Sequence, residues 1–127
     1  MSSGRILVVE DNVLNLKLIR DVLQVAGYEV VEATTGEQGV ALAVDALPDL
    51  VLMDLQLPGI DGAEALRSLR ADPRTHAIPV VAVSAFAMKA DRDRAYRDGF
   101  DGYLEKPISV RALPDQVSTF LRSRRNE

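Results

Sequence analysis

Five polar residues stand at the ends of short apolar runs, and their types are those that handle a phosphoryl group beside a divalent cation. Glu10 and Asp11 follow Ile6-Leu7-Val8-Val9, and Asp54 follows Leu50-Val51-Leu52-Met53. Ser84 follows Val80-Val81-Ala82-Val83, and Lys106 follows Gly102-Tyr103-Leu104-Glu105. Carboxylates gathered in one place repel one another unless a cation or a proton intervenes. An all-oxygen set suits Mg2+, which keeps some of its waters and shares phosphate oxygens. A lysine ammonium adds a compact positive charge for a phosphoryl oxygen, and a serine hydroxyl can donate a hydrogen bond to the same group. An anionic phosphoryl group is then tolerated beside carboxylates, because metal and lysine neutralise it. Taken singly, each residue has a plainer explanation: the acids as helix caps or turn formers, Ser84 as a satisfied loop hydroxyl, Lys106 as a solvated charge. Their joint order at successive strand ends favours a site.

The elements that must carry these residues follow from hydrophobic pattern. The runs beginning at Ile6, Leu50 and Val80 are unbroken, as in strands buried on both faces of a parallel sheet. Glu29-Val30-Val31-Glu32-Ala33 alternates in part and Gly102-Tyr103-Leu104 is short, so both read as edge strands. Leu16, Ile19, Leu23 and Ala26 share one face of a first helix, with Gly27 as its stop. Thr35 with Gln38, and Asp61 with Glu64, have the spacing of capped helix starts. The second helix ends before Pro48, and Ala65, Leu66 and Leu69 give the third its apolar side. A fourth helix is predicted over residues 89–98, ended by Gly99. Pro114 conflicts with a helix capped by Ser109, because it removes an interior backbone donor. The sequence therefore predicts a loose turn at 109–112 and a fifth helix from Leu113 to about Arg124, with Pro114 at its first position. Five alternations with short connections imply an α/β fold with a parallel sheet and right-handed crossovers. Ligands in such sheets bind beyond the carboxyl ends of the strands, which is where the five polar residues fall.

Composition narrows the function. The chain has 127 residues, read as one domain over 1–127 with no output domain. There are no cysteines and one histidine, His76, which excludes disulfides, thiolate chemistry and a multi-histidine zinc site. A net charge of −4 argues against DNA binding as the main role. No apolar run approaches the about 20 residues that span a bilayer, and residues 1–5 do not read as a signal peptide. The expectation is a cytoplasmic protein without membrane insertion.

In combination these stretches resemble the response-regulator receiver family of the CheY-like superfamily. The matching segments are residues 6–12 (ILVVEDN), 48–62 (PDLVLMDLQLPGIDG), 78–85 (IPVVAVSA) and 102–107 (GYLEKP), and the likeness covers nearly the whole chain. More narrowly, residues 85–89 (AFAMK) and 106–110 (KPISV) resemble stand-alone receivers. The resemblance implies a flavodoxin-like (βα)5 doubly wound fold, with a five-stranded parallel sheet of order 2-1-3-4-5 and helices on both faces. It implies a two-component phosphorelay role, in which Asp54 takes a phosphoryl group from a sensor histidine kinase or histidine phosphotransfer protein. Asp11 and Asp54 would ligate Mg2+ directly, Glu10 largely through water, and the backbone carbonyl of Gln56 would complete the set; Mn2+ could substitute. Ser84 would be the switch hydroxyl and Tyr103 the switch aromatic, and the Lys106–Pro107 bond would be cis. The protein would be a signalling phosphoacceptor, catalysing only its own phosphorylation and dephosphorylation. A downstream protein would bind the face of the fourth helix, fifth strand and fifth helix, with the chain a monomer or weak dimer. Ser84 replaces the threonine of many relatives, which keeps the hydroxyl and loses the β-branch that stiffens the rotamer. Phe86, two residues on, is placed to shield an acyl phosphate from water.

Rival classes fit less well. A haloacid-dehalogenase-type phosphatase wants a second acid two residues after its nucleophile, where Gln56 and Val13 stand. A flavin or nucleotide carrier wants a donor-rich phosphate loop after the first strand, where Glu10-Asp11 would repel phosphate. Two arginine groups, Arg92/Arg94/Arg97 and Arg122/Arg124/Arg125, read as solvated faces rather than a ligand site.

Overall fold

A computed structural model of the chain describes residues 4–86 and 88–125, with side chains through Arg122 in the last helix. Strands and helices alternate as β1 Arg5–Val9, α1 Val13–Val25, β2 Glu29–Ala33, α2 Gly36–Ala46, β3 Leu50–Asp54, α3 Gly62–Ala71, β4 Val80–Ser84, α4 Lys89–Asp98, β5 Gly102–Glu105 and α5 Leu113–Arg125. All strand pairs are parallel, in the order β2-β1-β3-β4-β5. β1, β3 and β4 are thus the interior strands. That is why their runs are apolar without alternation: every residue faces one of two cores. Leu7, Val9, Val51, Met53, Val80 and Ala82 pack beneath α2, α3 and α4 through Ala43, Ala65, Leu66, Leu69 and Ala95. Ile6, Val8, Leu50, Leu52, Val81 and Val83 pack beneath α1 and α5 through Leu16, Ile19, Leu23, Leu113, Val117 and Leu121. The partly alternating β2 and the short β5 lie at the edges.

Local chemistry sets the helix starts. Asn12 Oδ1 accepts from Asn15 N–H at 3.0 Å, Thr35 Oγ1 from Gln38 N–H at 3.1 Å and Asp61 Oδ1 from Glu64 N–H at 2.9 Å. Each cap satisfies one donor that the first turn leaves free. Gln38 Oε1 reaches back to Thr34 N–H at 2.8 Å, one residue earlier than a capping box would have it. α1 closes with Ala26 as its cap and Gly27 at φ +98°, and Gly99 ends α4 at φ +108°. The fifth helix needs one correction. Pro114 is its second residue rather than its first, because Ser109 closes the preceding turn. Ser109 Oγ accepts from Ala112 N–H at 3.2 Å and its carbonyl accepts from Leu113 N–H at 3.0 Å. Pro114 still falls within the first turn, where a missing N–H costs little. The helix runs one residue beyond the predicted end; the side chains of Arg124 and Arg125 lie outside the described residues. Among the described residues no helix is long and apolar enough to cross a membrane.

Candidate metal and phosphoryl site

The strand order brings the predicted polar residues to one end of the sheet. Glu10 follows β1, Asp54 and Ser84 are the last residues of β3 and β4, and Lys106 follows β5. Glu10 N–H donates to Ala33 O at 3.0 Å, and Lys106 N–H donates to Ser84 O at 2.8 Å, so hydrogen bonding continues one step past the strands. Glu10, Asp54 and Ser84 are buried, while Asp11 is exposed at the rim.

Three of these side chains are held in the same way. Glu10 Oε2 accepts from Asn12 N–H at 3.2 Å, Asp54 Oδ1 from Gln56 N–H at 2.9 Å, and Ser84 Oγ from Phe86 N–H at 3.1 Å. Each strand-end oxygen takes the amide two residues on, a turn that short polar side chains favour. Asn12 was not among the predicted site residues. It caps α1 and, through its amide, orients Glu10; its signal was an N-cap residue type directly after an acid pair. For Gln56, the contact shown is through the N–H to Asp54.

Lys106 Nζ bridges the acids, 2.8 Å from Glu10 Oε1 and 2.9 Å from Asp54 Oδ2. The contact to Asp54 has hydrogen-bond geometry. The approach to buried Glu10 Oε1 is equally short, a charge contact of poorer angle. Burial pushes the Glu10 carboxyl up to about 7, reinforced by the hydrogen bond and charge of Asp54 and opposed by Lys106 and the Asn12 amide. Burial alone would depress the Lys106 ammonium, but Glu10 and Asp54 outweigh it and hold it above its ordinary value. The Lys106–Pro107 peptide bond is cis. Tyr103 is half-buried against the α2–α4 side, and its hydroxyl donates to the carbonyl of Phe86. One residue of the loop after β4 therefore links Ser84 to Tyr103. The Phe86 ring itself is 54% exposed.

Ligand oxygens of Glu10, Asp11 and Asp54 lie within 4.8 Å of one another. This all-oxygen set, two of whose carboxylates are buried, fits a small hard cation.

Residues 6–118 match the family described as response regulator receiver domain, and the chain belongs to that family. It is a receiver domain of the two-component response regulators, similar in sequence to DivK. The polar-differentiation response regulator DivK of Brucella ovis is 42% identical over 116 residues, covering 91% of this chain and 94% of that protein. Among solved structures, a CheY-like receiver domain protein from Methanospirillum hungatei JF-1 superposes with a TM-score of 0.86 at 28% identity, covering 98% of each chain. The receiver domain of a sensor histidine kinase from Pseudomonas aeruginosa PAO1, solved with magnesium coordinated in its active-site cleft, superposes with a TM-score of 0.84 at 32% identity, covering 99% of this chain and all of that one.

Proposed function

We propose that Asp54 is the phosphoacceptor of a phosphorelay, charged by a phosphohistidine on a sensor kinase or phosphotransfer protein. The observation that carries this is the position of Lys106, whose ammonium touches Asp54 and Glu10 at once beside buried Ser84. An Asp54 carboxylate oxygen attacks phosphorus in line. The new O–P bond makes an acyl phosphate as the P–N bond to the donor imidazole breaks. Asp11, Asp54 and the Gln56 carbonyl would hold Mg2+, with Glu10 acting largely through water, and the ion would supply neutralisation of the clustered acids and of the phosphoryl oxygens. Lys106 holds a phosphoryl oxygen by charge, and the domain contributes chiefly positioning. Val13 and Leu14, exposed at the rim beside Asp11, offer apolar contact to the donor protein.

The acyl phosphate carries about −1.5 to −2 charge in place of the carboxylate's single negative charge. Ser84 Oγ is then drawn to the phosphoryl group, and the amide of Phe86 loses its acceptor. Because the Phe86 carbonyl also receives the Tyr103 hydroxyl, the loop after β4 and Tyr103 move together. The α4-β5-α5 face changes, and a downstream protein reads it through a groove lined by Tyr103, Pro107, Ile108 and Gln116. Such an output requires a bistable element biased by the phosphate.

Asp54→Asn tests the assignment. Incubated with acetyl phosphate and Mg2+, the parent chain should acquire an acid-stable, base-labile label and the variant none; equal labelling of both would remove Asp54 from its role. The Phe86 ring shields the acyl phosphate from water. Phe86→Ala should shorten the lifetime of the label in pulse–chase, and an unchanged decay rate would dismiss the shield.

A further inference from the structure

We propose that Gly62 is a positioning residue for the phosphoacceptor: the first turn of α3 rests on the backbone of Asp54 and Leu55 so closely that no side chain fits between them. The inference rests on the assignment of Asp54. A Cβ built on Gly62 would lie 2.7 Å from the Asp54 carbonyl oxygen, 2.9 Å from Leu55 Cα and 3.1 Å from Leu55 Cδ2. The two nearest atoms are backbone, so no rotamer change relieves them. Gly62 N–H donates to Leu55 O at 3.3 Å, joining the same two segments. The Gly62 backbone does not adopt a left-handed φ, so the requirement is steric rather than conformational. Alanine is the better helix former; in open space the substitution would help the helix, and any loss reports the contact.

The consequence lies at the acid. Asp54 Oδ1 is set by the amide of Gln56, and Oδ2 meets Lys106 across the site. Displacing the 54–56 backbone shifts both contacts, together with the Gln56 carbonyl offered to the cation. A second glycine braces the same connection from α2. A Cβ on Gly36 would lie 2.7 Å from Ile60 Cγ1 and 2.8 Å from the Ile60 carbonyl. The segment from Asp54 to Gly62 is thus wedged between two helix N-termini, each relying on a missing methyl.

The test is Gly62→Ala, assayed for Mg2+ affinity and for labelling by saturating acetyl phosphate at a temperature where it is folded. Leu23→Ala, which opens a cavity in the opposite core far along α1, is the control for lost stability. Labelling of Gly62→Ala should slow by about tenfold or more, as misplacement on the ångström scale does, and its Mg2+ affinity should weaken several-fold. Leu23→Ala should do neither despite a comparable fall in melting temperature. Parent-like labelling and metal affinity in Gly62→Ala, or a parallel loss in Leu23→Ala, would overturn the proposal. If Gly62→Ala does not fold in buffer, the same two readouts are taken in a stabilising osmolyte such as trimethylamine N-oxide, and parent-like values there overturn the proposal equally. Failure of the parent chain to label would sink the phosphoacceptor assignment alone, since the Mg2+ comparison still decides the role of Gly62.

Discussion

The carboxyl of Glu10 is nearly sealed from solvent, at 2% exposure, a cost to its charged form, and its Oε1 meets the Lys106 ammonium at 2.8 Å. Lys106 compensates part of that cost by charge, and the remainder appears as proton affinity: the folded-state pKa is pushed to about 7, against 4.5 for the free group. A raised carboxyl pKa means that the folded chain binds the proton more tightly than the unfolded chain. Its stabilisation is fully present below the free-group value and is lost as pH rises toward the folded one. In a chelator, the melting temperature should therefore fall between about pH 5 and 7.5 through this residue, and Glu10→Gln should flatten that slope. A slope identical in parent and variant would show that Glu10 is not the titrating group. Metal affinity should run the other way and strengthen as pH rises past 7, because a proton and a cation compete for the same oxygen.

At the scale of elements, strand ends deliver the site residues, and side-chain caps fix where the first three helices begin. Thr35 illustrates how local such capping is. Its hydroxyl caps α2 through Gln38 N–H, a bond that involves none of the site's side chains. Thr35→Ala should cost about 1 kcal/mol in denaturant unfolding without changing phosphoryl labelling; a cost near zero would show that water replaces the cap freely. α4 is different. Its cap, Met88, makes no side-chain bond, and Ala95 is its one buried residue. A helix held by so little apolar contact sits at the low end of local stability. The proposed switch makes use of that, since α4 begins directly after the loop that ties Ser84 to Tyr103.

For the whole molecule, site and fold are coupled through charge. Three carboxylates with ligand oxygens within 4.8 Å of one another repel, and Lys106, which bridges two of them, offsets that repulsion only in part. A ligand that binds only the folded chain adds stability as RT ln(1 + [L]/Kd). Millimolar Mg2+ should raise the melting temperature, and Asp54→Asn should shrink the rise; a parent curve unmoved by Mg2+ would contradict the metal site. Much of this architecture was legible in the chain. Buried parallel strands need apolar residues on both faces, so Ile6, Leu50 and Val80 announced β1, β3 and β4 and marked where each strand ends. Caps such as Thr35 and Asp61 are visible because they act over three residues. The turn at 109–112 and the start of α5 at Leu113 were read correctly, and Pro114 falls second in that helix rather than first. Other features had no local signal. Lys106 meets Asp54 across 52 residues of separation, a distance only the crossovers bring to 2.9 Å. The proton affinity of Glu10 depends on its burial beside Asp54 and Lys106, and the place of Gly62 on the backbone that forbids it a Cβ. Residue types and periodicity determined which groups stand at the carboxyl end of the sheet, because side-chain direction repeats with a fixed period along strand and helix. How near those groups come, and what charge they then hold, was decided by tertiary packing, because distance and desolvation arise only between segments remote in sequence.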